Sequence, residues 1–332
     1  MRIISPPSPF TPLLPLRPYV NMKLDCDLKG VSTPAVHTTN MWGMRGDPPP
    51  DDWDRYETYI TIGGSTTQCF YLDASRPWPS QLQSMLRTQN PKCWVGNGGL
   101  DGQSSRSHLI FMREVIPKLK PDNVLILMGI NDLGLSMTAE RLRDSRKFDE
   151  PSLSLRLFGA SRLLQILYVW KRILLDDDVV VVDKAGHRVF NPVSMAEPET
   201  VPEDLKSFLS LLPEYRKNIE NMIEISKQVG SRLIFMTQPM LFEDTPYWRG
   251  QAGSFYWIKD LKGNMSAATY SRLLDQYNET LKDVCRQRDI EVIDVAAELP
   301  HEDSCFYDSV HMTDLGAERT ARIVFNHLMG TR

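Results

Sequence analysis

Short apolar runs alternate with longer amphipathic segments from about residue 56 to the C-terminal end of the chain. The run at 124–128 is apolar at every position, which indicates a strand covered on both faces. The predicted strands cover residues 56–62, 93–95, 124–128, 232–236 and 290–295. The predicted helices cover residues 78–87, 105–119, 203–229, 266–288 and about 314–328. This alternation predicts an α/β fold, a three-layer α/β/α sandwich with a central parallel sheet.

Two parts of the chain depart from this alternation. Ten of the 23 prolines fall within the first 50 residues. Because proline fixes φ and removes an amide donor, we expect residues 1–52 to form a proline-rich N-terminal arm outside the regular core. Residues 53–332 then form the α/β domain. Residues 135–202 are expected to be an insertion over the edge or top of the sheet, with a helix near 161–174 and a β-like run at 179–182.

The composition excludes several classes of protein. The 332 residues are 42% hydrophobic and 24% charged, with a net charge of -4, as in an ordinary globular protein. Lysine and arginine are scattered, which argues against a nucleic-acid partner. The five cysteines form no CxxC pair, which argues against a disulfide framework or a zinc ribbon.

The apolar runs are too short for a membrane span. None reaches the roughly 18 residues that a transmembrane helix requires, so no transmembrane segment is predicted. Prolines at 6, 7, 9, 12, 15 and 18 interrupt the apolar core that a secretory signal needs. The expectation from the printed sequence is therefore a cytoplasmic protein, or an exported one if the natural start lies upstream.

Four polar motifs mark a candidate site. They are Gly63-Gly64-Ser65-Thr66-Thr67, Asn97-Gly98-Gly99-Leu100-Asp101-Gly102, Gly129-Ile130-Asn131-Asp132 and Asp308-Ser309-Val310-His311. Each motif alone is typical of a turn or a helix cap. Loops at the carboxyl ends of parallel strands share one rim, where ligands usually bind. Four such motifs, each following a predicted strand, therefore indicate a functional site.

The order and content of these motifs resemble the SGNH (GDSL-like) hydrolase superfamily, whose four blocks supply Ser, Gly, Asn and a closing Asp-x-x-His. The third motif matches the family's Gly-x-Asn-Asp in full, and the family glycine falls on Gly102. Two positions differ, since Gly64 replaces the Asp of Gly-Asp-Ser and Ser309 stands where glycine is common. The resemblance covers residues 56 to 328, and implies that residues 53–332 form a flavodoxin-like SGNH hydrolase domain.

A serine hydroxyl is a weak nucleophile at neutral pH and needs a base within hydrogen-bond reach. The resemblance implies that Ser65 is the nucleophile, His311 the base and Asp308 the group that orients the imidazole. It also implies an oxyanion hole made by the backbone N–H groups of Ser65 and Gly102 and the side-chain amide of Asn131.

The activity that the resemblance implies is hydrolysis of carboxylic O-acyl esters, short-chain or O-acetyl, through an acyl-enzyme intermediate. The expected substrate is a small-molecule or carbohydrate ester, with no cofactor and no metal. Two alternatives stay open: an O-acyltransferase that passes the acyl group to a carbohydrate, and a non-catalytic carbohydrate-binding protein of the same fold. The oligomeric state is open as well.

Some residues outside the four motifs have two interpretations each. Gln238 follows a predicted strand and either ends it or lines the substrate pocket. Arg106 either meets an anionic substrate group or opens its helix. The aromatic-rich stretch 247–257 either lines the pocket or packs the insertion. The His-Glu-Asp run at 301–303 is more typical of a solvated loop than of a metal site.

Overall fold

Five parallel strands form the centre of the computed structural model, which describes residues 8–136, 205–244, 252–253 and 265–330. The strands of the described residues are β1 (Asn21–Leu24), β2 (Ala35–Thr38), β3 (Glu57–Gly63), β4 (Cys93–Asn97), β5 (Asn123–Met128), β6 (Arg232–Thr237), β7 (Ala252–Gly253), β8 (Met265–Ser266) and β9 (Glu291–Ile293). The helices are α1 (Ser65–Gln68), α2 (Trp78–Arg87), α3 (Ser105–Glu114), α4 (Ile116–Leu119), α5 (Ile130–Ser136), α6 (Leu212–Val229), α7 (Ala267–Arg288), α8 (Val295–Glu298) and α9 (Asp314–Gly330). Short 3₁₀ turns lie at Trp53–Arg55 and Leu205–Leu209.

The central sheet has the strand order β4-β3-β5-β6-β9, and every pairing in it is parallel. Numbered along the chain, these strands lie in the order 2-1-3-4-5, which is the flavodoxin-like order. All six residues of β5 are buried, as expected for a strand with both faces covered. Among the helices that flank the sheet, α2 packs against α9, and α6 packs against both α3 and α7. The predicted α/β fold with a central parallel sheet is confirmed.

Proline explains why two predicted helices are interrupted. The helix expected over 105–119 ends at Glu114, and α4 starts again at Ile116. Pro117 has no N–H to donate to the preceding turn, so one continuous helix cannot form. The helix expected over 203–229 is a 3₁₀ turn followed by α6, which has Pro213 in its first turn, where a missing N–H has no consequence.

The N-terminal segment, defined here as residues 8–52, packs on the domain. Its strands β1 and β2 pair antiparallel. Leu14, Leu16, Leu28 and Met44 are buried in the same hydrophobic cluster as the central strands. The expectation that this stretch lies outside the core is therefore wrong for its described residues. The prolines prevent regular helix, but they leave the apolar residues of the segment free to join the core.

The predicted insertion at 135–202 lies outside the described residues, except for residues 135 and 136 at the end of α5. Its expected helix at 161–174 and β-like run at 179–182 stay predictions. Of the aromatic stretch 247–257, the structure describes only residues 252–253, which pair with β8. Within the described part of the chain, no helix has the length and apolar character needed to cross a bilayer.

We expect Met44→Ala to lower the free energy of unfolding by about 2–5 kcal/mol, because it opens a cavity in the shared core. Met44 is fully buried, whereas Met41, three residues earlier, is 48% exposed. Met41→Ala is therefore the matched control, with an expected change of less than about 0.5 kcal/mol. Urea unfolding of both variants measures the difference. Equal midpoints for wild type and Met44→Ala would show that the N-terminal segment does not share the core.

Candidate active site

A sharp turn between β3 and α1 presents Ser65. β3 ends at Gly63, and α1 begins at Ser65 and runs for a single turn. A Cβ atom on Gly63 would lie 2.1 Å from Thr67 Oγ1 and 2.9 Å from the carbonyl oxygen of Leu127. A Cβ atom on Gly64 would lie 2.4 Å from Asn131 Nδ2. Glycine at position 63 is thus required by close approach to the β5 backbone, whereas a side chain at position 64 would displace the Asn131 amide.

A continuous hydrogen-bond chain joins Ser65, His311 and Asp308. Ser65 Oγ lies 2.7 Å from His311 Nε2, and His311 Nδ1 lies 2.6 Å from Asp308 Oδ2. The other carboxylate oxygen accepts the backbone N–H groups of Val310 at 2.9 Å and His311 at 2.7 Å. Because an ionised carboxylate only accepts, Nδ1 carries the proton in the neutral ring. Nε2 is then free to accept the hydroxyl proton of Ser65.

Electrostatics of this cluster favour a charged pair. Burial alone lowers the pKa of His311, but the charge and the hydrogen bond of Asp308 outweigh it and raise that pKa above its ordinary value. Burial raises the pKa of Asp308, yet the His311 charge and the accepted N–H groups bring it below its ordinary value. Asp308 is therefore ionised at neutral pH and stabilises the imidazolium.

Tyr307 packs against one face of the His311 imidazole. Its ring is stacked on that of His311, with ring centroids 5.6 Å apart and an interplanar angle of 8°. The Tyr307 N–H donates to the carbonyl oxygen of His311 at 3.0 Å, which closes the loop that carries both catalytic candidates. Tyr307 is not among the residues predicted from the four motifs, although an aromatic residue directly before Asp308 is visible in the sequence.

The expected oxyanion-hole residues meet beside the nucleophile turn. Asn131 lies in the first turn of α5 and donates an amide N–H to the carbonyl oxygen of Gln103 at 2.8 Å. Gly102, directly before Gln103, has a φ of +69°, a backbone conformation that favours glycine. The Gly64 backbone lies against both Asn131 and Gln103. Since β3 and β5 are neighbours, Ser65 and Asn131 leave the sheet at the same edge.

Gln238 forms a hydrogen bond with the nucleophile turn. It is buried, and its Oε1 atom accepts the Thr66 hydroxyl at 3.0 Å. Asn278 holds its backbone from α7, since Asn278 Oδ1 accepts the Gln238 N–H at 2.9 Å and Asn278 Nδ2 donates to its carbonyl oxygen at 3.1 Å. A bond to the residue after the nucleophile is a role that neither interpretation of Gln238 included.

Two further polar residues connect α3 with its neighbours. Arg106 forms an ion pair with Glu214 of α6, and the Arg106 side chain is 9% exposed. Asp132 accepts the backbone N–H of Ser105 at 3.0 Å and its hydroxyl at 2.5 Å. Burial raises the pKa of Asp132 to about 6, against the opposing effect of the Ser105 hydrogen bonds. These contacts fix the start of α3 against the helix that carries Asn131.

His301 in the 301–303 run contacts the carbonyl oxygen of Ala296 through Nε2 at 3.1 Å. Over the ranges that the structure describes, no three His, Cys, Asp or Glu side chains are grouped so that they could hold a metal ion.

The family model of the GDSL-like lipase/acylhydrolase family matches residues 61–319, which include all four motifs. The chain belongs to this family. It is a hydrolase that acts on ester bonds, and the predicted relationship to GDSL-like hydrolases is confirmed. Membership does not favour the acyltransferase or the non-catalytic alternative.

Other comparisons give more distant similarity. No curated protein matches the sequence. Among solved structures, the acetylxylan esterase Axe2 from Geobacillus stearothermophilus is 16% identical, with 82% of this chain and 94% of that chain covered and a TM-score of 0.47. The alpha/beta hydrolase LAE5 from the metagenome of Lake Arreo, Spain, is 15% identical, with 81% and 94% covered and a TM-score of 0.46.

We expect Asp308→Asn to lower the pKa of His311 below that in the wild type. The substitution removes the charge that raises this pKa and leaves burial, which lowers it. An NMR titration of the histidine Cε1–H signals measures the shift. Asp303→Asn is the control, because Asp303 is exposed and pairs with Lys29. An unchanged or higher pKa of His311 in folded Asp308→Asn would contradict the electrostatic assignment.

Proposed function

We propose that this hydrolase is a serine esterase that cleaves carboxylic O-acyl esters through an acyl-enzyme intermediate. The supporting observation is the hydrogen-bond chain from Ser65 Oγ through both nitrogens of His311 to Asp308, with distances of 2.7 and 2.6 Å. A serine placed this way has its base in reach before substrate binds, and the base has its orienting carboxylate.

In the acylation step, Ser65 Oγ attacks the carbonyl carbon of the ester while His311 Nε2 takes the hydroxyl proton. A tetrahedral intermediate forms, with its negative charge on the former carbonyl oxygen. The bond to the alcohol oxygen then breaks, and the imidazolium returns its proton to that leaving oxygen. The products are a free alcohol and an ester between the acyl group and Ser65. Asp308 stays ionised throughout and stabilises the imidazolium.

In the deacylation step, water takes the place of the alcohol. His311 Nε2 removes a proton from water as its oxygen attacks the acyl carbon, and a second tetrahedral intermediate forms. The bond to Ser65 Oγ breaks, Ser65 recovers its proton from His311, and the carboxylic acid leaves. The same two side chains therefore serve both half-reactions in opposite directions.

The oxyanion is assigned to three donors, the backbone N–H groups of Ser65 and Gly102 and the side chain of Asn131. An asparagine amide has two N–H groups, and the one given to Gln103 leaves the second for the substrate. Removing one donor of this kind typically lowers kcat by about 10²–10³-fold.

The acyl group is proposed to be short, with O-acetyl esters of small molecules or carbohydrates as the substrate class. This part of the proposal follows the resemblance to SGNH hydrolases, so a series of acyl lengths tests it separately from the mechanism.

The proposed function is tested by measuring ester hydrolysis by the wild type, Ser65→Ala and Ser84→Ala. The substrates are p-nitrophenyl acetate, butyrate and octanoate. We expect the wild type to prefer the shorter esters and Ser65→Ala to lose about four to six orders of magnitude in kcat, since the nucleophile is missing. Ser84 is an exposed serine on α2 that bonds within its own helix, so its alanine variant should match the wild type.

The acyl-enzyme intermediate can be detected separately, by mass spectrometry. Quenching during turnover should leave the mass of one acyl group on the peptide that contains Ser65. Wild-type turnover that survives in Ser65→Ala would refute the nucleophile assignment. A preference for octanoate would refute the short-acyl assignment and leave the mechanism intact.

We expect Gly64→Ala to lower kcat by about 10²-fold or more, because its Cβ atom displaces the Asn131 amide from the oxyanion position. The amide is the end of a side chain and can move, so the free energy of unfolding should change far less than the rate. Gly134→Ala is the control, since a Cβ atom at Gly134 meets nothing within 4 Å. Initial rates and urea unfolding of both variants separate the two effects. Unchanged turnover in Gly64→Ala would exclude Asn131 as an oxyanion donor.

A further inference from the structure

The segment that follows the nucleophile helix carries its own set of backbone acceptors. We call residues 68–73 the strap; it leads from the end of α1 towards α2. Its irregular backbone lacks the regular pairing of a helix or a sheet, and although the carbonyl oxygens of Cys69 and Asp73 accept a backbone N–H within local turns, the others need different donors. Side chains of the N-terminal segment supply these donors.

Arg45 supplies most of them. Its Nη1 atom donates to the carbonyl oxygens of Gln68, at 2.8 Å, and of Cys69. Its Nη2 atom donates to the carbonyl oxygen of Leu72 at 2.8 Å. The residue is 2% exposed. A buried guanidinium requires such hydrogen bonds, because an unsatisfied charge in the interior is strongly destabilising.

His37 binds a fourth carbonyl group of the strap, that of Phe70. Its Nδ1 atom donates to the carbonyl oxygen of Phe70 at 3.1 Å, and the residue is 3% exposed. Burial, together with the neighbouring charge of Arg45, lowers the pKa of His37 to about 3, so the ring is neutral at neutral pH and donates through Nδ1–H. At the far end of the strap, Asp73 Oδ2 accepts the backbone N–H of Val36 at 3.0 Å.

The backbone of Arg45 is itself hydrogen-bonded to the central sheet. Its backbone N–H and C=O exchange hydrogen bonds with Asn97, the last residue of β4, at 2.9 and 3.1 Å. The Asn97 side chain donates to the carbonyl oxygen of Thr67 at 2.8 Å. The carbonyl groups from Thr67 to Phe70 are therefore held, one after another, by side chains attached to β4 and the N-terminal segment.

This arrangement acts on a helix of one turn. α1 spans Ser65–Gln68, so two of the carbonyl groups held by Arg45, those of Gln68 and Cys69, lie at the end of the same turn that begins with the nucleophile. The Cys69 N–H donates to the carbonyl oxygen of Ser65 at 2.8 Å, which links the strap directly to the nucleophile's backbone. A shift of the strap must therefore move Ser65.

We propose that Arg45 and His37 are positioning residues for the nucleophile: by holding the strap carbonyls they set the place of Ser65 relative to His311 and the oxyanion donors. This inference rests on the proposed function. Neither residue touches the reacting atoms, and both act through the backbone of α1 and the strap. The N-terminal segment is on this account part of the catalytic apparatus as well as of the core.

The planar fork of arginine explains why this position needs that residue. Two nitrogens of one guanidinium reach carbonyl groups at both the start and the end of the strap. A lysine ammonium keeps the charge but presents its donors from one point, so it cannot serve carbonyl groups on both sides with the same geometry.

Arg45→Lys is therefore the test, with Arg87→Lys as the matched control. Arg87 also ties the N-terminal segment to the domain, through Asp47 at 2.7 Å and the carbonyl oxygen of Cys93 at 3.0 Å, but it does not contact the strap. We expect Arg45→Lys to lower kcat by about ten- to a hundredfold, because small displacements of a reacting group have effects of that size. KM should stay within about twofold, and Arg87→Lys should leave kcat and KM within about twofold of the wild type.

Two more measurements separate positioning from loss of structure. His37→Gln, which can also donate to a carbonyl from a different position, should lower kcat in the same direction as Arg45→Lys. The rate at which a fluorophosphonate labels Ser65, expressed per folded molecule from circular dichroism, should fall in both variants. A merely structural role predicts unchanged labelling per folded molecule, and that result overturns the proposal.

The outcomes for the two proposals differ. A wild type that turns over no ester, or one whose activity survives Ser65→Ala, refutes the proposed function. In the other case the wild type is active and Ser65→Ala is inactive, but Arg45→Lys and His37→Gln show normal kcat and normal labelling. That result supports the esterase function and overturns the positioning role alone.

Discussion

The parallel pairing of β3 with β5 is the constraint on which the site depends. Gly63, the last residue of β3, lies opposite Leu127 near the end of β5. The chain leaves both strands at the same edge, so the nucleophile turn and the turn that carries Asn131 are adjacent before any side chain is considered. The glycines before Ser65 allow this adjacency, because a Cβ atom at Gly63 would collide with Thr67 and with the Leu127 carbonyl oxygen of β5, and one at Gly64 with the Asn131 side chain.

Irregular backbone at that edge has to be satisfied by hydrogen bonds from elsewhere in the fold. Two buried side chains do this around the nucleophile, Arg45 on the strap carbonyls and Asn97 on the Thr67 carbonyl, and a third, Gln238, holds the Thr66 hydroxyl. They come from the N-terminal segment, from β4 and from the end of β6. A turn supported from three directions has few alternative positions, which is the preorganisation that a serine nucleophile needs.

The charge distribution of the triad follows from the competition between burial and pairing. Burial by itself disfavours both the imidazolium of His311 and the carboxylate of Asp308. Each group reverses the effect of burial on the other through their hydrogen bond, and two backbone N–H groups add to the stabilisation of the carboxylate. Tyr307 covers the ring and closes the loop around it. The pairing thus favours the charged state, which is the state that follows proton transfer from Ser65, over what burial alone would allow.

Local sequence determined the elements and the motifs of this protein, because apolar periodicity and glycine-rich turns are readable from neighbouring residues. The central strands and the helix at Trp78–Arg87 follow from such patterns. Ser65, Asp308 and His311 could be named from the resemblance of their motifs to a known family, but local patterns did not place them together. Tertiary structure decided the rest. Proline spacing alone gave no sign that Leu16 and Met44 would enter the core, since burial depends on what surface is available to cover. Arg45 reaches its carbonyl partners 23 to 27 residues further along the chain, and Gln238 reaches Thr66 across 172 residues. Contacts of that separation carry no periodic signal, and only the packed chain brings them within hydrogen-bond distance.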